Sequence, residues 1–195
     1  MRITGGRWRS RALEAPRGMA TRPSSDRVRE ALFSMLASDG VLAQQAEEGD
    51  AGVRVLDLYA GTGALAFEAL SRGAVQAVLV EHGRDAVGAI RNNARALGAE
   101  ADIVVFDTKV ERALPKLEGR FGVVFLDPPY ADVRTPAFSG ILGQAAALVA
   151  PGGLLVLEHA SADEAPGIVG LELDRSRRYG DTTLSLYRLD RAPEA

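Results

Sequence analysis

The stretch VRVLDLYAGTGALAFEALSR, residues 53–72, joins a strand to a helix through a glycine-rich loop. Its apolar start, residues 53–58, predicts a buried parallel strand, and residues 63–72 predict the helix that follows. Between them, Gly61 and Gly63 permit a tight turn and the close approach of a ligand. The amino end of the helix adds oriented N–H groups. This unit is typical of an α/β sheet that binds a nucleotide-like cofactor.

Strands and helices keep alternating after this unit. Further strands are predicted at 76–81, 102–106, 121–126 and 154–158, with helices at 84–97, 110–117 and 137–149. Two last strands, near 168–177 and 182–189, have no helix between them and should pair antiparallel at the sheet edge. The sequence therefore predicts a doubly wound, Rossmann-like α/β sheet that ends in an antiparallel hairpin. Its ligands should bind beyond the carboxyl ends of the strands.

The first 20 residues are predicted to form a basic arm, and residues 21–195 the main domain. Residues 1–14 predict a β-hairpin that turns at Gly5-Gly6 and is closed by Pro16 and Gly18. Ser24-Ser25-Asp26 predicts the start of a helix, and the polar, acidic stretch 39–52 is interpreted as a linker.

The charge of the chain is concentrated in that arm. Residues 1–30 hold eight arginines against three acidic residues, a net charge of +5, so the rest of the chain carries −8. A basic segment on an acidic body indicates contact with a polyanion. The alternative is a solvated, arginine-rich surface, because the chain has only two lysines. The candidate nucleic-acid contacts are Arg2, Arg7, Trp8, Arg9 and Arg11.

Composition excludes several classes of site. The chain has no cysteine, so disulfides, thiolate catalysis and cysteine-based zinc sites are ruled out. Its two histidines, His82 and His159, are too few for a histidine-rich metal site. No stretch reaches the ~20 apolar residues of a membrane helix, and the amino terminus lacks the apolar run of a signal peptide. We expect a soluble, cytoplasmic protein that binds neither a metal nor a membrane.

The glycine-rich loop fits two kinds of cofactor. Gly61-x-Gly63-x-x-Ala66 satisfies the loose dinucleotide fingerprint, but Asp57, at the strand end, precedes the first glycine by four positions. An acid at that strand end suits the cationic amino-acid end of S-adenosylmethionine and would repel a pyrophosphate. Glu81, 20 residues beyond Gly61, could hold a ribose diol. The candidate cofactor-binding residues are Asp57, Tyr59, Ala60, Gly61, Thr62, Gly63, Glu81, Asp107 and Thr108.

The candidate reacting site is Asp127-Pro128-Pro129-Tyr130, which directly follows the strand predicted at 121–126. Asp127 can accept a hydrogen bond from an N–H group, and the Pro128 carbonyl could accept a second one. The prolines cannot continue a β-ladder because they have no N–H, and Tyr130 offers a ring for stacking. This combination suggests methyl transfer to the exocyclic amine of a flat ring, with Asp127 and Pro128 directing the lone pair of the amine.

These motifs together resemble the bacterial small-subunit (16S) ribosomal RNA guanine-N2 methyltransferases, the RsmD family. The similar segments run nearly from end to end: 3–8, 21–30, 56–65, 68–73, 127–130 and 179–182. The resemblance implies S-adenosylmethionine as the donor and one guanine of 16S ribosomal RNA, presented in the assembling small subunit, as the acceptor. It also implies that the arm engages the particle and that Arg22-Pro23 folds back towards the cofactor.

Some residues depart from the family pattern, and other functions stay open. His82 stands near the place where the family often has an acid or amide; it is a candidate to pack beside the adenine, with an exposed turn histidine as the alternative. Rival functions are an amino-methyltransferase that acts on DNA adenine or a protein glutamine, a nicotinamide-dependent oxidoreductase, and a non-catalytic RNA-binding factor. Intact acids and glycines argue against the last, and no proton-donor set supports the oxidoreductase.

Overall fold

A seven-stranded sheet forms the centre of the computed structural model, which describes residues 1–16, 23–42 and 52–189. The strand order is β3-β2-β1-β4-β5-β7-β6. The first five strands are parallel, and β7 pairs antiparallel with both β5 and β6. The strands are β1 (Arg54–Leu58), β2 (Gln76–Glu81), β3 (Ile103–Asp107), β4 (Phe121–Leu126), β5 (Val149–Ala160), β6 (Glu172–Tyr179) and β7 (Thr182–Arg188).

Helices cover both faces of this sheet, so the predicted doubly wound α/β fold is confirmed. They are α1 (Pro23–Ser38), α2 (Ala64–Ser71), α3 (Arg84–Leu97), α4 (Val110–Ala113), α5 (Tyr130–Val133) and α6 (Pro136–Ala147). Successive strand residues point to opposite faces. Val55 and Phe125 pack with α1, α2 and α3 in one apolar cluster, whereas Leu56 and Leu126 pack with α4 and α6 in the other.

Two predicted boundaries near the carboxyl terminus are wrong. Helix α6 ends at Ala147, and β5 begins at Val149, so the Pro151-Gly152-Gly153 stretch lies inside a long strand rather than in a turn before it. A β-bulge absorbs these residues, because Phe121 pairs with Val149 but Val123 pairs with Leu154. Such a bulge accommodates residues that an ordinary ladder excludes. Strand β6 begins at Glu172, later than predicted.

The arm folds differently from the predicted hairpin. Its two ends pair antiparallel, through the Arg2–Ala12 bridge and a hydrogen bond from the N–H of Ile3 to the carbonyl of Arg11. The predicted turn at Gly5-Gly6 is wrong, since Gly6–Trp8 forms a 3-10 helix instead. The backbone of Gly6 lies against α2, where a Cβ on Gly6 would come within 1.8 Å of the Ser71 carbonyl oxygen.

Some predictions concern residues that lie outside the described ranges, and others stay untested. Gly18 and Arg22 lie outside them, as do residues 43–51 of the predicted linker, and the side chains of residues 23–25 are not described. The division into an arm at 1–20 and a domain at 21–195 stays a prediction. Within the described ranges, no helix is both long and apolar enough to cross a membrane.

Candidate functional site

Acidic residues lie at or near the carboxyl end of every parallel strand. Asp57 is next to last in β1, Glu81 ends β2, Asp107 ends β3, and Asp127 follows β4 directly. Glu158 lies two residues before the end of β5. The parallel register brings these ends to one edge of the sheet, with Glu81 beside Asp107 and Asp57 beside Phe125.

A cavity of about 300 Å³ opens at this edge. It brings together seven of the residues predicted for the site, from both the cofactor loop and the reacting motif. They are Asp57, Tyr59, Ala60, Gly61, Thr62, Asp127 and Tyr130. The other predicted residues within the described ranges do not line it: Gly63, Glu81, His82, Asp107, Thr108, Pro128 and Pro129.

Asp57 is the buried acid of this cavity, with only 1% of its surface exposed. Its Oδ2 accepts a hydrogen bond from the backbone N–H of Ala66 at 3.2 Å, whereas Oδ1 has no hydrogen-bond partner. Burial raises the pKa of Asp57 to about 8, and the nearby charges of Asp127 and Glu81 add to the rise. A buried carboxylate oxygen without a partner is costly, and a cationic ligand group would satisfy it. Asp57 therefore fits the ammonium end of S-adenosylmethionine.

The cofactor loop takes a backbone shape that few sequences allow. Tyr59 has φ of +65°, which is uncommon for a residue with a side chain. Gly63 has φ of +77°, and a Cβ there would lie 2.7 Å from the Phe67 ring. Glycine at 63 is thus required both by the backbone and by the packing of the loop on α2. The strained turn positions the loop N–H groups at the sheet edge.

Glu81 anchors the loop from the neighbouring strand. Its Oε2 accepts from the N–H of Gly61 at 2.8 Å, and its Oε1 accepts from the N–H groups of His82 and Gly83 at 2.8 and 2.7 Å. A carboxylate has about four acceptor positions, so capacity remains for a ligand hydroxyl. Glu81 therefore fits a ribose diol while it also holds the loop in shape.

The remaining candidates on the adenosine side lie around the ends of β2 and β3. Asp107 is half exposed and lies 3.8 Å from Arg91, and His82 is 62% exposed, with its Nδ1 3.6 Å from Glu81. The backbone N–H of Thr108 donates to the Glu81 carbonyl. These residues therefore lie outside the cavity that contains Asp57 and Asp127.

Asp127 faces the cavity from β4 and remains accessible to solvent through its opening. Protein atoms near the carboxylate partly exclude solvent from it, and this desolvation raises its pKa to about 6. Pro128 is buried and Pro129 exposed, and α5 begins at Tyr130. An acid with a pKa close to neutrality can accept a proton efficiently near pH 7.

The wall opposite the cofactor loop contains two residues that the sequence analysis missed as site residues, Glu158 and Thr182. The hydroxyl of Tyr130 lies 2.7 Å from Thr182 Oγ1 and donates to Glu158 Oε1 at 3.3 Å. All three line the cavity. Glu158 could have been found from the sequence, because it is an acid near a strand end like the four others. Thr182 belongs to the Tyr179–Thr182 motif that the family resemblance includes.

The candidate nucleic-acid contacts in the arm differ in the interactions that they make with the rest of the protein. Arg7 forms an ion pair with Asp102 at 2.9 Å and stacks over the Trp8 ring. Arg11 donates to the Ala96 carbonyl, and Arg2 donates to the Ser10 carbonyl. Arg9 is exposed. The arm thus lies against the main body, with its arginine side chains at the surface.

Comparison with known proteins identifies the family. A protein-family model described as "Conserved hypothetical protein 95" matches residues 1–188. The chain belongs to this family. Its relatives bear out the predicted RsmD-type rRNA methyltransferase family, and methyltransferase relatives imply S-adenosylmethionine as the donor.

Three relatives show the extent of the similarity. The Bacillus subtilis protein "Putative rRNA methyltransferase YlbH" is 34% identical over 96% of this chain and 98% of its own length. "Ribosomal RNA small subunit methyltransferase D" of Escherichia coli K12 is 38% identical over 67% of this chain and 60% of its own length. The solved structure "Putative methyltransferase yhhF from Escherichia coli" is 28% identical, covers 98% of this chain and 99% of its own, and has a TM-score of 0.81.

The raised pKa of Asp57 predicts a pH-dependent stability. The unfolded chain loses this proton near pH 4, whereas the folded protein holds it to about pH 8. Between these values the folded state binds more protons, so its stability falls as pH rises. Urea unfolding of the wild type and of Asp57→Asn, from pH 5 to 8, should show the wild type losing stability relative to the variant. Parallel pH profiles would contradict the assignment.

Proposed function

We propose that this protein transfers a methyl group from S-adenosylmethionine to the exocyclic N2 amine of a guanine in 16S ribosomal RNA. The observation that carries the proposal is the cavity that joins Asp57, with its unpartnered Oδ1, to Asp127 on the adjacent strand. One acid fits the cation of the donor and the other fits an acceptor amine. The names of the small-subunit relatives support rRNA as the substrate, and the family resemblance supports guanine N2 and the assembling subunit.

The residues of the cofactor end would act together on the donor, which supplies an electrophilic methyl group when bound. Asp57 Oδ1 would accept hydrogen bonds from its ammonium group, and Glu81 would accept from its ribose hydroxyls. Because an ammonium favours the ionised form of Asp57, binding at pH 7 should release a proton.

The residues of the acceptor end would orient the amine. Its lone pair is delocalised into the base, so a productive geometry is needed before the nitrogen can form a bond to the methyl carbon while the carbon–sulfur bond of the donor breaks and the thioether product leaves. Asp127 and the Pro128 carbonyl would accept its two N–H groups and direct the lone pair. Such positioning can supply ~7–11 kcal/mol of the barrier. Asp127, with a pKa of about 6, would then take the proton that the methylated amine releases.

The proposed ribose contact predicts that Glu81→Gln weakens cofactor binding. The amide cannot reproduce all the charge-assisted bonds of the carboxylate, each worth ~1.5–3 kcal/mol, so we expect roughly a tenfold or greater rise in Kd by calorimetry. Asp85→Asn removes an exposed charge from the nearby first turn of α3 and serves as the control. Equal affinities of Glu81→Gln and the wild type would contradict the contact.

The proposed RNA contact of the arm predicts a change in salt dependence. Arg9→Gln should weaken binding to undermethylated small subunits and flatten the dependence of affinity on salt, because each lost phosphate contact releases about one fewer counterion. Arg120→Gln removes an exposed charge just before β4, outside the arm, and should leave the slope unchanged. If the two variants behave alike, the arm is only a solvated surface.

The reaction itself is tested with radiolabelled S-adenosylmethionine. Undermethylated small subunits, their naked RNA and duplex DNA are each incubated with the enzyme, digested, and analysed for the labelled nucleoside. Label in N2-methylguanosine supports the proposal, and the ratio of subunit to naked RNA measures the contribution of the particle. Label in N6-methyladenine would assign the protein to the DNA class, and no label in any substrate would overturn nucleic-acid methylation.

A further inference from the structure

Arg29 of α1 is a buried cation at the wall of the cavity. Only 5% of its surface is exposed, and it lines the same cavity as Asp57 and Thr62. Its Nη2 donates to Asp26 Oδ1 at 3.1 Å and to the backbone carbonyl of Arg2. Neither the sequence motifs nor the proposed mechanism gives this guanidinium a role at the site.

Two nitrogen atoms of the Arg29 guanidinium, Nη1 and Nε, lack a good hydrogen-bond acceptor among the described residues. Its Nη1 has only the Met1 thioether as a hydrogen-bond partner in the described structure, at 3.9 Å, and a thioether is a weak acceptor. Its Nε lies 3.4 Å from Glu68 Oε2 but makes no hydrogen bond. Within the described residues, three buried side-chain atoms lack hydrogen-bond partners. Two of them belong to Arg29 and Asp57, a cation and an acid that line one cavity.

The two acids beside Arg29 only partly neutralise its charge. Glu68 also pairs with Arg72, whose Nε donates to it at 2.8 Å. Asp26 is 43% exposed, so solvent screens its interaction with Arg29. A further anion within the cavity would therefore be attracted to the guanidinium. The Met1 side chain, which lies 3.6 Å from Thr62 Oγ1, is flexible and adapts readily to a new neighbour.

Arg29 and Asp57, which line one cavity, match the two ends of a zwitterion, because the guanidinium suits a carboxylate and the Asp57 carboxyl ionises when it binds an ammonium. We propose that Arg29 binds the carboxylate of the α-amino-acid end of the methyl donor, while Asp57 binds its ammonium. Guanidinium and carboxylate form strong, directional pairs. This inference rests on the proposed function, since it assumes S-adenosylmethionine as the ligand, and it makes Arg29 a determinant of donor specificity.

The test compares two ligands that differ only in the carboxylate. Calorimetry measures the affinities of the wild type for S-adenosylmethionine and for decarboxylated S-adenosylmethionine, which keeps the amine that Asp57 would bind. We expect the intact donor to bind roughly tenfold tighter or more. In Arg29→Met the ratio of the two affinities should fall towards one. Arg72→Met is the matched control, because Arg72 also pairs with Glu68 but does not line the cavity. This control should keep the wild-type ratio.

Each outcome separates the inference from the function on which it rests. A wild-type ratio near one, or an unchanged ratio in Arg29→Met, would overturn the role of Arg29 and leave the donor assignment intact. If Arg29→Met does not fold, Arg29→Lys keeps a cation beside Glu68 but loses the planar fork, and its ratio should also fall. Failure of the wild type to bind either ligand would overturn the proposed cofactor, and this inference with it.

Discussion

Asp127→Asn is expected to lower the rate of methyl transfer by about 10²–10⁴-fold, the range typical for loss of a positioned acid or base. The amide has nearly the same size, so the cavity should keep its shape. It replaces one acceptor oxygen with an N–H donor, which would face the N–H groups of the acceptor amine. It also cannot take a proton, whereas Asp127 has a pKa raised by desolvation to about 6.

The measurement combines single-turnover kinetics with calorimetry on the same variant. The affinity for S-adenosylmethionine should stay within about threefold of the wild type, because Asp127 is assigned to the acceptor and Asp57 to the donor. Asp132→Asn, an exposed acid in α5, is the control and should keep full activity. Full turnover by Asp127→Asn would refute the mechanism, and a parallel loss of cofactor affinity would show that Asp127 belongs to the donor site.

Glu68→Ala is expected to cost the protein about 3–5 kcal/mol of unfolding free energy, the range for removing one partner of a buried ion pair. Glu68 is fully buried in α2. Its oxygens accept from the N–H and hydroxyl groups of Thr4 at 2.8 and 2.7 Å and from the N–H of Gly5 at 2.9 Å. Arg72 and Arg29 supply the opposite charge. Alanine would leave both guanidinium groups without this partner and release Thr4 and Gly5 of the arm from α2.

Urea unfolding and hydrogen exchange test this prediction together. The amides of Thr4 and Gly5 should lose their protection in Glu68→Ala. Ser71→Ala is the neutral control, because the Ser71 hydroxyl also joins the arm, accepting from the N–H of Trp8 and donating to the Gly5 carbonyl. We expect it to cost about 1 kcal/mol. Equal losses of unfolding free energy in the two variants would contradict the larger contribution that we assign to the buried charge of Glu68.

The alternation of strands and helices, the doubly wound fold class and the edge of the sheet that holds the candidate site could be predicted from local patterns. Each parallel strand contains an apolar run with an acid at or near its carboxyl end, and each helix has its own periodicity and boundary residues. The turn of the arm could not be predicted in this way. Gly5-Gly6 carries the signal of a tight hairpin turn, but packing against Ser71 and Glu68 selects a 3-10 helix there.

The sequence by itself determined the α/β order and was enough to propose the cofactor loop and the reacting acid, because these follow from residues close together in the chain and from the geometry of parallel strands. Only the tertiary structure decided that Glu68 holds the arm, that Arg29 reaches the cavity, and that Tyr130 joins Thr182 and Glu158. The partners in these contacts are separated by as many as 64 residues. Contacts over such separations depend on how whole helices and strands pack. Because a buried charge is costly unless it is paired, its effect on stability or binding is much larger than its local sequence indicates.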